Sequence, residues 1–238
     1  MRYAFFVTGT DTGVGKTHVT CALLRATWRL GLTAIGMKPV AAGVESDGAN
    51  DDVARLVAAS SVSAPPEWIN PFLYAPAIAP HIAAREAGRP IEIASIVRAF
   101  ERLHRLADVV WVEGVGGFRV PLDERYDTAD LAQRLALPVV LVVGMRLGCL
   151  NHALLTAEAI AGRSLRLAGW VANRIDPAMA RFTANLASLE ARLAAPLIGV
   201  APHGASAEQA ARALDVSVLP GFDALFPNSA RDRRQRPE

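Results

Sequence analysis

With 238 residues and 52% apolar side chains, the chain has the length and hydrophobic content for one sizeable α/β core. A formal net charge of +2 excludes the strongly basic field that sequence-independent nucleic-acid binding requires, and two cysteines, Cys21 and Cys149, exclude a disulfide framework and point to a reduced compartment. No segment approaches the roughly 18 consecutive apolar residues of a membrane span, and no signal-peptide pattern opens the chain, so the expectation is a soluble, cytoplasmic protein.

Tyr3–Thr8 is a short apolar run that predicts a buried strand, and Lys16–Leu30 follows it with helical periodicity. Between them lies Gly9-Thr-Asp-Thr-Gly-Val-Gly-Lys-Thr17. This is the pattern of a phosphate-binding loop. Gly13, Val14, Gly15 and the first helical residues through His18 present backbone N–H groups and the helix dipole to phosphates, Lys16 neutralises charge, and the Thr17 hydroxyl can ligate Mg²⁺. The motif asks for a glycine five places before Gly15, where Thr10 stands; Gly9 is one place early.

Thr33–Lys38 predicts a second strand, ending in Lys38 beside Pro39, which is expected to stop further pairing. A second lysine near such a loop suits a transferring phosphoryl group or a carboxylate. Asn50-Asp51-Asp52 then heads a helix predicted over Asp51–Ala59, with capping expected of Asp51 and metal contact of Asp52. The Pro-rich stretch Ala64–Pro80 reads as the one long irregular region, either a binding loop or a packed surface excursion. A helix over Ile91–Leu106 leads to a third strand, Asp108–Glu113. Glu113 stands where such enzymes reach the metal and its waters, and Gly114, Val115 and Gly116 allow close approach of a nucleotide.

After a helix over Thr128–Leu135, a fourth strand is predicted at Val139–Val143 and a helix at Asn151–Ala161. The entry Gly148-Cys149-Leu150-Asn151 either offers N–H groups to an anion such as a carboxylate or is simply a helix capped by Asn151. A fifth strand, Ala168–Ala172, runs into Asn173 and Arg174, where an amide could read a purine edge. A helix over Ala178–Leu193 and a sixth strand, Leu197–Ala201, precede Pro202, His203 and Gly204, which supply a backbone rim. The alternation predicts an α/β fold: a single doubly wound, mainly parallel sheet flanked by helices, with its ligand beyond the carboxyl ends of the strands. One domain is expected over residues 1–222, with 223–238 as an Arg-rich, solvated tail.

The stretches "FVTGTDTGVGKT", "GMKPVAAG", "NDD", "APHIAA", "VEGVGG", "LVVGMRLGCLNHALLT" and "AGWVANRID" occur in this order, and together the chain resembles the dethiobiotin synthetases. The resemblance implies a P-loop ATPase that uses ATP and Mg²⁺ to close a ureido ring on 7,8-diaminopelargonate with CO₂, through a carbamate and a carbamic-phosphoric anhydride. It implies that Thr12, Lys16 and Lys38 surround the carbamate and γ-phosphate, and that Thr17, Asp52 and Glu113 hold the metal. It assigns adenine to Asn173, Arg174 and Pro202 to Gly204. It also implies a homodimer in which the Gly148–Asn151 turn of one subunit receives the substrate carboxylate bound mainly to the other. This chain departs from the family pattern at Ala42, where some members have a substrate-holding hydroxyl, at Gly13, where some have an acid, and at Arg146, which replaces a lysine.

Two other readings compete. Amide-forming members of the same superfamily carry a glutaminase domain that these 238 residues do not accommodate. Non-enzymatic partitioning switches carry a lysine five places before the loop lysine, where Asp11 stands here, and the terminal arginines lack the interleaved apolar residues of a membrane-binding tail. His81 reads equally as structural or substrate-positioning.

Overall fold

Continuous apolar runs must be buried on both faces, and in the computed structural model, which describes residues 2–44 and 48–222, they form the centre of a three-layer stack. The chain order is β1 (Tyr3–Gly9), α1 (Lys16–Arg29), β2 (Ala34–Met37), β3 (Val40–Ala42), α2 (Asp51–Ala59), α3 (Pro66–Ile69), β4 (Phe72–Tyr74), α4 (Pro80–Glu86), α5 (Ile93–Leu106) and β5 (Val109–Glu113). It continues with α6 (Thr128–Leu135), β6 (Val139–Gly144), α7 (Cys149–Gly162), β7 (Leu167–Asn173), α8 (Phe182–Glu190), β8 (Leu197–Ala201) and α9 (Ala207–Arg212), and a single 3₁₀ turn follows at Val216–Val218.

Six strands pair in the order β2-β5-β1-β6-β7-β8, and every pairing is parallel. The expected parallel sheet is therefore present. Strand alternation sends side chains to two cores: Phe5, Val7 and Trp111 pack with α1, α2 and α9, whereas Phe6, Val110 and Val112 pack with α5 and α6. Trp111 anchors the first core. It stacks on Phe5 with ring centroids 5.0 Å apart, and its indole N–H donates to the Thr27 hydroxyl at 3.1 Å, so its one polar group is satisfied. A third cluster, built on Leu141, Val143 and Trp170, seats α7 and α8.

Several boundaries differ from expectation. Pairing does not stop at Pro39: β3 and β4 form a separate two-stranded parallel sheet, because a proline lacks only its N–H, and the Pro39 carbonyl accepts from the Phe72 amide at 3.2 Å. The stretch 64–80 is therefore not irregular throughout but carries α3 and β4. The helix expected over Ala178–Leu193 covers only Phe182–Glu190, since Asp176 caps a turn through the Ala178 amide and Arg181 adopts φ 57° before the helix begins. The short α9, opened by a Ser206/Gln209 capping box, is not among the expected elements. Residues 223–238, the predicted tail, lie outside the described residues. No helix among the described residues is long and apolar enough to cross a membrane.

Candidate active site

The parallel order brings the carboxyl ends of β1, β2 and β5 side by side, and each delivers one functional segment. After β1 the chain turns sharply through Gly13 (φ 75°) and Gly15 (φ 82°), conformations that L-residues rarely adopt, and Gly15 caps α1. At Gly15 an added Cβ would sit 2.2 Å from the Asn173 amide nitrogen. That amide comes from the end of β7 and donates to the Val14 carbonyl at 2.8 Å, so the loop is fastened to the sheet from the far side. Lys16 folds back over the loop, with Nζ donating to the Asp11 carbonyl at 3.0 Å.

Lys38, from the end of β2, donates to Glu113 Oε1 at 2.5 Å and to Asp52 Oδ2 at 2.9 Å. Thr17 donates its hydroxyl to the same Glu113 oxygen at 2.7 Å. Glu113 is fully buried and its other oxygen, Oε2, has no partner. A buried carboxylate oxygen without a donor invites a cation or a water. The Thr17 hydroxyl and two carboxylates form an oxygen donor set that suits Mg²⁺, which prefers a few hard oxygens and keeps its remaining positions for waters and phosphates. No group of three or more His, Cys, Asp or Glu side chains among the described residues could hold a metal ion.

The electrostatics follow from burial. Lys16 is pulled down to about 8, first by desolvation and then by the nearby Lys38 charge. Burial also opposes the Lys38 charge, but Glu113 and Asp52 outweigh it and leave its pKa raised. Asp52, whose burial would raise it, is held below its usual value by Lys38. His18 is lowered by burial and by the Arg55 guanidinium.

Thr12, Gly13, Gly15, Lys16, Thr17, His18, Lys38, Ala42, Asp52, Glu113, Val115 and Gly116 all border one cleft of about 650 Å³. Val14 lies beneath the loop against Gly144, and Gly114 is backed by Phe6. Asn173 and Ala201 are paired neighbours at the ends of β7 and β8, so Arg174 and the Pro202–Gly204 turn follow them side by side; of these only Asn173 is seen to touch the loop, and none borders the cleft. His203 Nδ1 lies 3.1 Å from the Arg174 carbonyl, and the Arg174 guanidinium lies over the Phe182 ring, 5.2 Å from its centroid. Gly148 to Asn151 do not border this cleft. They open α7, where Gly148 (φ 92°) is the cap, so the helix starts at Cys149 and is not capped by Asn151. At α2 the cap is Asn50, whose side chain accepts from the Val53 amide, and not Asp51.

Sequence reasoning missed Arg55 and the Ala77–Pro80 wall of the cleft. Arg55 had a usable signal, since it stands three places after Asp52 on a helix and so shares its face. It also missed the ion pair of Arg146 with Asp11 at 2.8 Å, which ties the α7 entry to the phosphate-binding loop. Leu147 beside it is 96% exposed.

Comparison with known proteins agrees with this geometry. A family model described as an AAA domain matches residues 3–211. An ATP-dependent dethiobiotin synthetase BioD from Aromatoleum aromaticum is 59% identical over 221 residues, covering 92% of this chain and 98% of that protein. A second, from Nitrosospira multiformis, is 57% identical over 203 residues, covering 85% and 89%. Among solved structures, the MinD cell division protein of Aquifex aeolicus superposes with a TM-score of 0.51 at 16% identity, covering 99% of this chain and 98% of its own, a likeness of fold alone.

Proposed function

The chain belongs to the ATP-dependent dethiobiotin synthetase family, and we propose that it carboxylates 7,8-diaminopelargonate and closes the ureido ring at the cleft between the phosphate-binding loop and β2. The observation that carries this reading is the placing of a second buried ammonium, Lys38, opposite Lys16 at one cleft. The extra lysine of a partitioning switch would stand in the loop, where this chain has Asp11, whereas Lys38 comes from the end of β2; a reaction in which one anion attacks another needs that added positive charge.

One amine of the substrate adds to CO₂, losing a proton, to give a carbamate. A carbamate oxygen attacks the γ-phosphorus of ATP and the bond to ADP breaks. The second amine then attacks the carbamoyl carbon of the mixed anhydride, losing a proton as phosphate leaves, and the ring is closed. Lys16 holds the β- and γ-phosphates, and Lys38 and Thr12 align the carbamate oxygen with the γ-phosphorus; their contribution is neutralisation and alignment of like charges. Thr17, Asp52 and Glu113 would hold Mg²⁺, which would supply Lewis-acid neutralisation of phosphate charge. Asn173, Arg174 and the Pro202–Gly204 turn form the adenine side. The α7 turn from Gly148 to Asn151, which does not line its own chain's cleft, receives the substrate carboxylate of a second subunit, so the working form is a homodimer. The two unpaired cysteines fit a cytoplasmic setting.

Phosphate release measured with ATP, bicarbonate and the diamine, each omitted in turn, tests the reading. Release should require all three, and Lys38→Ala should abolish it while ADP still binds. Release that persists without the diamine would favour a nucleotide switch.

A further inference from the structure

Lys38 makes bonds that its role at the carbamate cannot all keep. An ammonium has three N–H donors. In this structure two of them are directed to Glu113 Oε1 and Asp52 Oδ2, the same carboxylates that, with Thr17, suit the divalent cation. The Lys38 side chain is 4% exposed and Glu113 is fully enclosed, so neither charge is screened by water. Only one donor remains for a substrate oxygen while both carboxylates are held.

We propose that Lys38 and the divalent cation compete for Glu113 and Asp52, and that cation binding hands Lys38 from those carboxylates to the substrate. The inference rests on the reading above, in which Lys38 faces the carbamate and the three oxygen side chains face the metal. Its physical basis is charge balance. A buried carboxylate, Glu113, and a part-exposed one, Asp52, that neutralise an ammonium have less charge to offer a divalent ion, and an ammonium drawn off by a divalent ion must find another anion. The carbamate is that anion. Lys38 thus acts as a positioning residue for the metal as well as a group that touches substrate.

Mn²⁺ binding at saturating ADP, read by the electron spin resonance of free Mn²⁺, separates this from a purely local role of Lys38. Lys38→Met should bind Mn²⁺ roughly tenfold more tightly than the wild type, because two carboxylates lose their internal counter-charge. Lys38→Arg, which restores a cation, should return affinity toward the wild-type value. Equal or weaker binding by Lys38→Met overturns the proposal. Since that variant leaves carboxylates without their ammonium, thermal unfolding provides a second reading: Mn²⁺ with ADP should raise its midpoint by more than it raises the wild type, and an equal or smaller rise overturns the proposal. A wild type that binds no Mn²⁺ with ADP would instead overturn the nucleotide reading beneath it.

Discussion

Lys16 shows how one residue's environment converts into a measurable property. Burial and the Lys38 charge lower its pKa to about 8, against an ordinary 10.5. Phosphates restore a counter-charge, so Lys16 keeps its proton in the nucleotide complex. Nucleotide binding above about pH 8 should therefore take up a proton, and affinity should fall as pH rises through that range. Between pH 8 and 10.5 the unfolded chain holds a proton that the folded, nucleotide-free protein has lost, so unfolding stability from this group increases with pH there. Calorimetry of ADP binding at pH 8.5 in buffers of different ionisation enthalpy checks the sign, and heats independent of buffer would contradict it. At this scale most of the site was legible, because Lys16, Thr17, Lys38, Asp52 and Glu113 each stand next to a strand end or helix start that periodicity locates. What each side chain touches was not. The Thr17–Glu113 and Lys38–Glu113 bonds join residues 96 and 75 places apart, and no local pattern encodes such pairs.

At the scale of elements, the phosphate-binding loop keeps its shape by being tied to β7. Asn173 supplies the donor for the Val14 carbonyl, and its amide fills the space where a side chain at position 15 would lie. Asn173→Ala should cost about 1 kcal/mol of stability for the lost bond to a buried carbonyl, and should weaken ADP roughly tenfold as the loop loses its preset form. Thermal unfolding and ADP calorimetry on the same variant check both; full ADP affinity would mean the loop holds itself. Strand and helix identities were readable because buried parallel strands are apolar throughout and helices repeat at 3.6 residues. The small β3-β4 sheet was not readable. Its strands are three residues each, below the length at which alternation can be counted, and one lies next to a proline that normally argues against a strand.

For the whole molecule, the proposed homodimer makes the sharpest prediction. Leu147 is 96% exposed and Leu155 on α7 is 55% exposed, near the turn assigned to the second subunit's substrate. On a monomer, changing one exposed leucine alters stability by no more than about 0.5 kcal/mol. Across a subunit interface, Leu147→Asp should separate the dimer. Light scattering should give twice the 25.3 kDa chain mass for the wild type and a single chain mass for the variant, with diamine binding weakened. An active wild type of one chain mass would remove the shared site. By itself the sequence determined the layered α/β class, the phosphate-binding loop and which residues stand at strand ends, because burial periodicity and glycine chemistry are local properties. Only the tertiary structure decided the strand order that sets β1 between β5 and β6, the sharing of Glu113 by Thr17 and Lys38, the fastening of the loop by Asn173, and the tie between the α7 entry and the loop through Arg146 and Asp11. Those depend on packing between segments far apart in the chain, where the competing arrangements differ in contacts that no single segment contains.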